Sequence, residues 1–211
     1  VLIDGEMKPN LIRAYPREYP LEYGVWWPEN QFDTGIKSVN VEQTSKESVR
    51  LTTVFQFDDF DEFGGGAEDF LSQYVHEMVI NANGEITMKN SFEPKSRLVR
   101  MGWTIPNSVS GTLRNMEWYG RGPYKESAIG ESYSNRKQSC PVGRYSSTVD
   151  EYLHPYFVPQ EVGNMVDTRW LALLDSRNRG LIVDGSQYLS VSVWPFTQDD
   201  LRKCMHVDEL P

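Results

Sequence analysis

Apolar residues along this chain alternate with polar ones far more often than they recur at helical spacing. Val49-Arg50-Leu51-Thr52-Thr53-Val54-Phe55-Gln56-Phe57 mixes alternation with β-branched and aromatic side chains, the pattern of a half-buried strand. Residues 74–80 repeat it. The turn Asn81-Ala82-Asn83-Gly84 follows, and residues 85–89 leave it as a third strand; Asn83-Gly84 is predicted to supply the left-handed backbone of a hairpin. Further strands are predicted over 97–105, 112–119, 168–174, 181–184 and 189–194, with Arg177-Asn178-Arg179-Gly180 as a turn between two of them. Only 197–204 reads as helix: a capping-type Thr197, then Asp199 and Asp200, then Arg202 and Lys203, an order that complements the helix dipole over one or two turns. Residues 58–69, acidic around Gly64-Gly65-Gly66, and 16–31, rich in proline and aromatics, read as loops. So many strands with so little helix predict an all-β fold, a large two-sheet antiparallel sandwich with one short helix near the C-terminus.

Composition adds limits. The 211 residues are 39% apolar and 12% aromatic, enough to bury a core. One domain is expected over 1–211, with an irregular entry over 1–31 and the sandwich body over 32–211. Val1 is not an initiator methionine and the chain stops at Glu209-Leu210-Pro211, so both ends are expected to be cuts. A net charge of −9, from 21 basic and 30 acidic residues, argues against nucleic acid or an anionic membrane as partner. The longest apolar run, 170–174, is far short of the roughly 18 residues of a membrane helix. No basic segment followed by an apolar core opens the chain, and the compartment, cytoplasm or periplasm, stays undecided. Cys140 and Cys204 could pair, but unbridged buried thiols are expected; without Cys-x-x-Cys or His-x-x-x-His, no zinc site is expected.

Candidate chemistry is thin. His76, His154 and His206 stand without a Gly-x-Ser-x-Gly elbow, and structural or surface roles are expected for each. The glycine triplet lacks the Gly-Lys-Ser/Thr ending of a phosphate loop. A glycosidase needs two carboxyl groups facing each other across about 5–10 Å, a distance that no sequence fixes. Aromatics say more: six Trp and eleven Tyr are many for this length. Sugar C–H faces stack on such rings while hydroxyls need nearby amides, carboxylates or guanidinium groups. Both ingredients meet in Glu117-Trp118-Tyr119-Gly120-Arg121-Gly122-Pro123-Tyr124 and in Pro159-Gln160-Glu161-Val162-Gly163-Asn164 followed by Arg169-Trp170. The plainer alternative is core aromatics with turn residues at strand ends.

Those two clusters carry a resemblance. Trp118-Tyr119-Gly120-Arg121-Gly122-Pro123 with Glu126 resembles the signature of the large β-sandwich at the C-terminal end of glycoside hydrolase family 2 β-galactosidases. Pro155-Tyr156 and Pro159 to Asn164 resemble that domain's next block, and Asp167-Thr168-Arg169-Trp170 follows in order. Later matches are Leu189-Ser190-Val191-Ser192, Pro195-Phe196-Thr197, Leu201, His206 and Glu209-Leu210; earlier ones are Lys8-Pro9-Asn10-Leu11-Ile12-Arg13-Ala14 and Arg100-Met101-Gly102. The chain departs from the family at Tyr15-Pro16-Arg17-Glu18 and at Ser127-Ala128-Ile129-Gly130.

The resemblance implies a galactose-mutarotase-like supersandwich and a parent that is a retaining β-galactosidase. It implies that the two reacting glutamates, and a Mg²⁺, belong to a separate β/α barrel, so that this chain has no catalytic residue, no metal and no cofactor and is inert alone. Trp118, Arg121, Glu126, Glu161, Asn164 and Arg169 are the expected sugar-facing or wall residues, some of which could instead tie the sheets together. The implied partners are the other domains of the parent chain and its galactoside substrate, with a homo-oligomer left open. A stand-alone sugar-binding module is the alternative, and an aldose epimerase a more distant one.

Overall fold

The computed structural model describes residues 7–10, 34–57, 74–92, 102–105, 112–123, 140–152 and 161–211. Outside them lie Glu126, His154, both expected loops, the block 155–160 and most of the strand expected over 97–105. The all-β antiparallel class holds: two four-stranded sheets and a two-stranded pair carry the described chain, with two short helices. The chain divides into two compact units.

One unit takes in residues 7–12 and 27–104. Here β2 (Thr34–Ser45), β3 (Ser48–Phe57), β4 (Tyr74–Asn81) and β5 (Ile86–Ser91) form a meander in the order β2-β3-β4-β5. Strand β1 (Lys8–Asn10) pairs with β6 (Gly102–Thr104), and the Asn10 amide donates to the Thr104 hydroxyl at 3.1 Å. The core is aromatic. Trp103 stacks on Tyr74 and His76, with centroids 5.8 and 4.2 Å apart, and Phe55 meets Tyr74 edge-on. Burial pushes the Tyr74 phenol up to about 12.

The other unit takes in residues 105–211 and two N-terminal segments. Its described strands are β7 (Asn115–Arg121), β8 (Val142–Thr148), β9 (Met165–Leu174) and β10 (Gly180–Val191), in the order β10-β9-β7-β8. Alternation along β7 sends Met116, Trp118 and Gly120 inward. Met116 and Trp118 join Leu113, Val149, Met165, Leu171 and Leu173 in one core cluster.

Several local expectations shift. In the β4–β5 loop, Gly84 alone takes the left-handed backbone (φ 90°), after a turn closed by Gly84 N–H to Asn81 O at 2.9 Å. Asn83 instead accepts the Glu85 N–H on its side chain, at 3.0 Å. The β9–β10 turn repeats this design with Asn178 (φ 57°) in the left-handed place, two residues before the glycine of the expected turn. Asp175 anchors it, accepting from the Arg177 and Arg179 backbone N–H groups at 2.7 and 2.9 Å. Those bonds, the Arg179 one foremost, hold its carboxyl below the usual value. The strands expected at 181–184 and 189–194 are one strand, β10, with register shifts after Asp184 and after Leu189. Strands β2 and β8, and the helical turn α1 (Val149–Tyr152), are additions. No disulfide joins Cys140, which is buried, and Cys204, which is half-buried.

The C-terminal helix forms where the charge order placed it, as α2 (Gln198–Lys203). Thr197 and Asp200 make a reciprocal capping box: the Thr197 hydroxyl accepts the Asp200 N–H at 3.1 Å, and the Asp200 carboxylate accepts the Thr197 N–H at 2.7 Å. Bonding to the Thr197 N–H, and to its hydroxyl, holds the Asp200 carboxyl below its usual value. Its contribution is therefore present above the unfolded value and lost as pH falls through the lowered folded one. Thr197→Ala is expected to cost about 1 kcal/mol at pH 7, with the gap narrowing at pH 2.5, read by urea unfolding. An equal gap at both values would show that the carboxylate adds nothing to the cap.

Candidate functional site

The residues singled out from sequence gather at one end of the sheet of β7 to β10. Arg121 closes β7 opposite Val142, the first residue of β8. Tyr119 pairs with Trp170 midway along β9, and Met165, the first residue of β9, pairs with Val191 at the end of β10. Antiparallel pairing thus brings these strand ends together.

Trp118 lies at the bottom of this end. It is 0% exposed, with Tyr145 on one side (5.6 Å) and Tyr152 edge-on at 5.2 Å. Its indole N–H donates to the Arg121 carbonyl at 2.9 Å. Arg121 then reaches across the strand end. Its Nε donates to the Asp167 carboxylate at 2.7 Å and its Nη1 to the Cys140 carbonyl at 2.9 Å. Asp167 has φ 50°, a left-handed conformation that costs a residue with a Cβ some strain. The Asp167 carbonyl accepts from Arg169 Nη1 at 2.6 Å. The Arg169 guanidinium lies over the Tyr188 ring at 4.0 Å and over Tyr119 at 5.4 Å, and Tyr188 is 66% exposed.

A second polar group adjoins it. The Asn164 amide donates to Ser192 Oγ at 3.1 Å and accepts from the Ser190 hydroxyl at 3.0 Å. Glu161 accepts from the Gln198 amide of α2 at 2.7 Å, and the Trp194 indole donates to the Val162 carbonyl at 2.8 Å.

Two glycines of the Trp118–Pro123 run are there for close approach. A Cβ on Gly120 would lie 2.9 Å from Thr168 Cα, and one on Gly122 would lie 2.7 Å from the Tyr145 ring. Thr168 is wholly buried, and among the described residues its hydroxyl has no hydrogen-bond partner. Among the described residues, no three His, Cys, Asp or Glu side chains converge as a metal site.

Of the six expected residues, five are thus placed: Trp118 in the core, Arg121 and Arg169 around Asp167, Glu161 beside α2 and Asn164 at the end of β10. Glu126 lies outside the described residues. Sequence reasoning did not single out Asp167 as a site residue, although Arg121 and Arg169 both converge on it; nothing in hydropathy marks a left-handed Asp at a strand's start. It did not single out Tyr188 either, which falls where β10 is irregular.

The family model described as "Beta galactosidase small chain" matches residues 2–211. A β-galactosidase of Priestia megaterium is 25% identical over 190 residues, covering 88% of this chain and 16% of that protein. One from Vibrio cholerae is 35% identical over 131 residues, covering 62% and 11%. BgaC from Bifidobacterium adolescentis, also a β-galactosidase, is 30% identical over 126 residues, covering 58% and 11%. The chain therefore spans less than a fifth of the length of these relatives.

Two substitutions test the local account. Thr168→Val replaces an unpartnered buried hydroxyl by a methyl of like shape and is expected to stabilise by about 1 kcal/mol. A loss of that size in thermal or urea unfolding would mean that the hydroxyl has a partner. Gly120→Ala puts a methyl against the Thr168 backbone and is expected to cost about 1–3 kcal/mol; a neutral result would refute the close approach of β7 and β9.

Proposed function

The chain belongs to the beta-galactosidase small-chain family, and from that we propose that it is the C-terminal supersandwich portion of a glycoside hydrolase family 2 β-galactosidase. In this reading the parent hydrolyses terminal β-galactosides, and this portion shapes one wall of the sugar site without supplying the reacting carboxylates.

The observation that carries the reading is that the polar side chains at the sheet end are held by protein partners. Asp167 is committed to Arg121. Glu161 is committed to Gln198, and Asn164 to Ser190 and Ser192. A reacting acid or nucleophile has to face substrate and exchange a proton or a bond with it. Carboxylates tied to amides and guanidinium groups instead hold a surface in shape. On this reading Trp118 supports the wall from below, Arg121 and Arg169 set its contour, and Glu161 and Asn164 fix the segment before β9 against α2 and the end of β10. The parent's other domains are the partners, and a Mg²⁺ belongs to its barrel.

One observation favours a second reading, a sugar-binding module. Tyr119 and Tyr188 are exposed at the same sheet end, and tyrosine rings are suitable platforms for sugar C–H faces. Titration with galactose and lactose, followed by intrinsic fluorescence, separates the two: saturable binding that Tyr188→Ala abolishes supports the module.

The wall reading makes three expectations for turnover of a nitrophenyl β-galactoside. The whole parent polypeptide turns it over; the purified 211-residue chain does not exceed a heat-killed control; and Glu161→Gln in the parent keeps kcat within about threefold, where loss of a reacting acid costs about 10²–10⁴. Turnover by the isolated chain, or a thousandfold loss in the Glu161 variant, would sink the wall reading. An inactive parent would sink the galactosidase assignment.

A further inference from the structure

The loop between β4 and β5 sets an asparagine before a glycine, and residues 82–87 are all exposed. The Asn83 side-chain oxygen accepts the Glu85 N–H at 3.0 Å. That bond folds the side chain forward over the Gly84 peptide, as an Asx turn does. Asn83 Cγ and the Gly84 nitrogen then lie in one small hydrogen-bonded ring. They are also the two atoms that join when an asparagine closes a five-membered imide. Groups held together in this way react as though highly concentrated. The Glu85 N–H sits on the oxygen that gains negative charge when Cγ is attacked, and a donor placed there stabilises the tetrahedral intermediate. Gly84 puts no side chain beside its nitrogen, and nothing lies within 4 Å of where a Cβ would stand. One contact opposes the reaction: the Gly84 N–H donates to the Asn81 carbonyl at 2.9 Å. The turn must release it before the nitrogen attacks, and an exposed loop opens locally at low cost.

We infer that Asn83 is a site of spontaneous covalent modification, converted in the folded protein to aspartate and isoaspartate through an imide with Gly84. The Gly84 nitrogen gives up its proton and bonds to Asn83 Cγ. The Cγ–Nδ2 bond breaks, and Nδ2 leaves as ammonia with that proton. Water then opens the imide. Attack at Cγ leaves aspartate at position 83, and attack at the main-chain carbonyl carbon leaves an isoaspartyl link with the backbone routed through the side chain. Either product adds a carboxylate and makes the net charge one unit more negative than −9. The isoaspartyl link also lengthens the main chain by one atom. Because the Ala82 N–H donates to the Glu47 carbonyl at 2.8 Å, that change strains both the β4–β5 loop and the neighbouring β2–β3 turn.

The other described asparagines each lack a part of this arrangement. Asn178 matches best in place, exposed in the β9–β10 turn. Its successor is Arg179, whose side chain crowds the attacking nitrogen and whose N–H is held by the Asp175 carboxylate at 2.9 Å. Asn81 is followed by Ala82, and its side-chain oxygen accepts from the Ser48 hydroxyl at 2.7 Å. Asn10, Asn40, Asn90 and Asn115 lie in paired strands. The Asn164 amide is held by Ser190 and Ser192. Asp184-Gly185 has the glycine, but its ionised carboxylate is a poor electrophile and has no ammonia to lose.

The test incubates the folded 211-residue chain in warm, mildly alkaline buffer and follows every asparagine by peptide mapping, with an isoaspartyl methyltransferase marking isoaspartyl links. Asn83 is expected to convert at least about tenfold faster than any other described asparagine. Both aspartate and isoaspartate are expected at position 83, with a more acidic species growing on ion exchange. Asn83→Gln, whose ring closure would be larger and slower, is expected to remove that species. Gly84→Ala is expected to slow conversion of Asn83 by about tenfold or more. Conversion no faster than at Asn178 overturns the inference. So does an Asn83 that stays intact in the folded chain while it converts in guanidinium, since the turn's hold on the Gly84 N–H then wins. Aspartate without isoaspartate means direct hydrolysis and overturns the imide route. These readouts do not depend on what the parent hydrolyses, so failure of the galactosidase assignment leaves them untouched.

Discussion

The unit built on β7 to β10 depends on burying the indole of Trp118. A Trp removed from water hides about 150–250 Å² of surface, worth at most about 4–6 kcal/mol at 25 cal/mol per Å². The ring brings an N–H that is costly to bury unpaired, and the Arg121 carbonyl takes it. That bond holds the last turn of backbone along β7, and with it the point from which the Arg121 side chain leaves. Arg121 meets Asp167 there, and the Asp167 carbonyl meets Arg169. Core packing and site geometry are therefore one construction, joined through three consecutive contacts.

The parts of this that were legible in the sequence are those with a strong periodic or chemical mark. Strands β3 and β4 alternate cleanly with β-branched and aromatic residues. The α2 cap was written in the order Thr197, Asp200, Lys203. Strand β8 was not legible because Val142-Gly143-Arg144-Tyr145-Ser146-Ser147-Thr148 has almost no apolar alternation; Tyr145, packed against Trp118, carries its inward face. Strand β2 is interrupted by a bulge between Ile36 and Ser38, which puts its apolar residues out of phase. Position 118 read as aromatic but not as buried, since a Trp at a strand end suits a core and a sugar platform alike. The left-handed Asp167 is held by a tertiary contact to Arg121 and a local one to Arg169, and no hydropathy pattern announces it.

The two units spend their polar groups differently. At the β7–β10 sheet end most buried or half-buried polar groups are matched, and the Thr168 hydroxyl is the exception, trapped where Gly120 lets two backbones meet. In the β2–β5 unit, His76 bonds through Nδ1 to Asn90 at 2.7 Å, while its Nε2 and the Trp103 indole N–H are buried without partners among the described residues. Aromatic stacking, with centroids 4.2 Å apart, is what holds those two rings. The aromatic core thus tolerates unmet hydrogen bonds that the sheet end largely avoids, as expected if shape matters more at the sheet end than bulk stability does.

That difference bears on why the Arg121–Asp167 pair is where it is. Side-chain exposures of 23% and 14% leave the pair mostly desolvated, and such pairs return little net stability over an apolar replacement. What they do supply is direction. A guanidinium fixed by a carboxylate on one side and the Cys140 carbonyl on the other has few alternative positions, and the strained Asp167 backbone turns its carbonyl toward Arg169. An apolar cluster of equal volume would fill the space without choosing an orientation. A strand end that keeps an ion pair at a backbone strain cost, when packing alone would close it, holds specified side chains in specified places, as the proposed wall role would require.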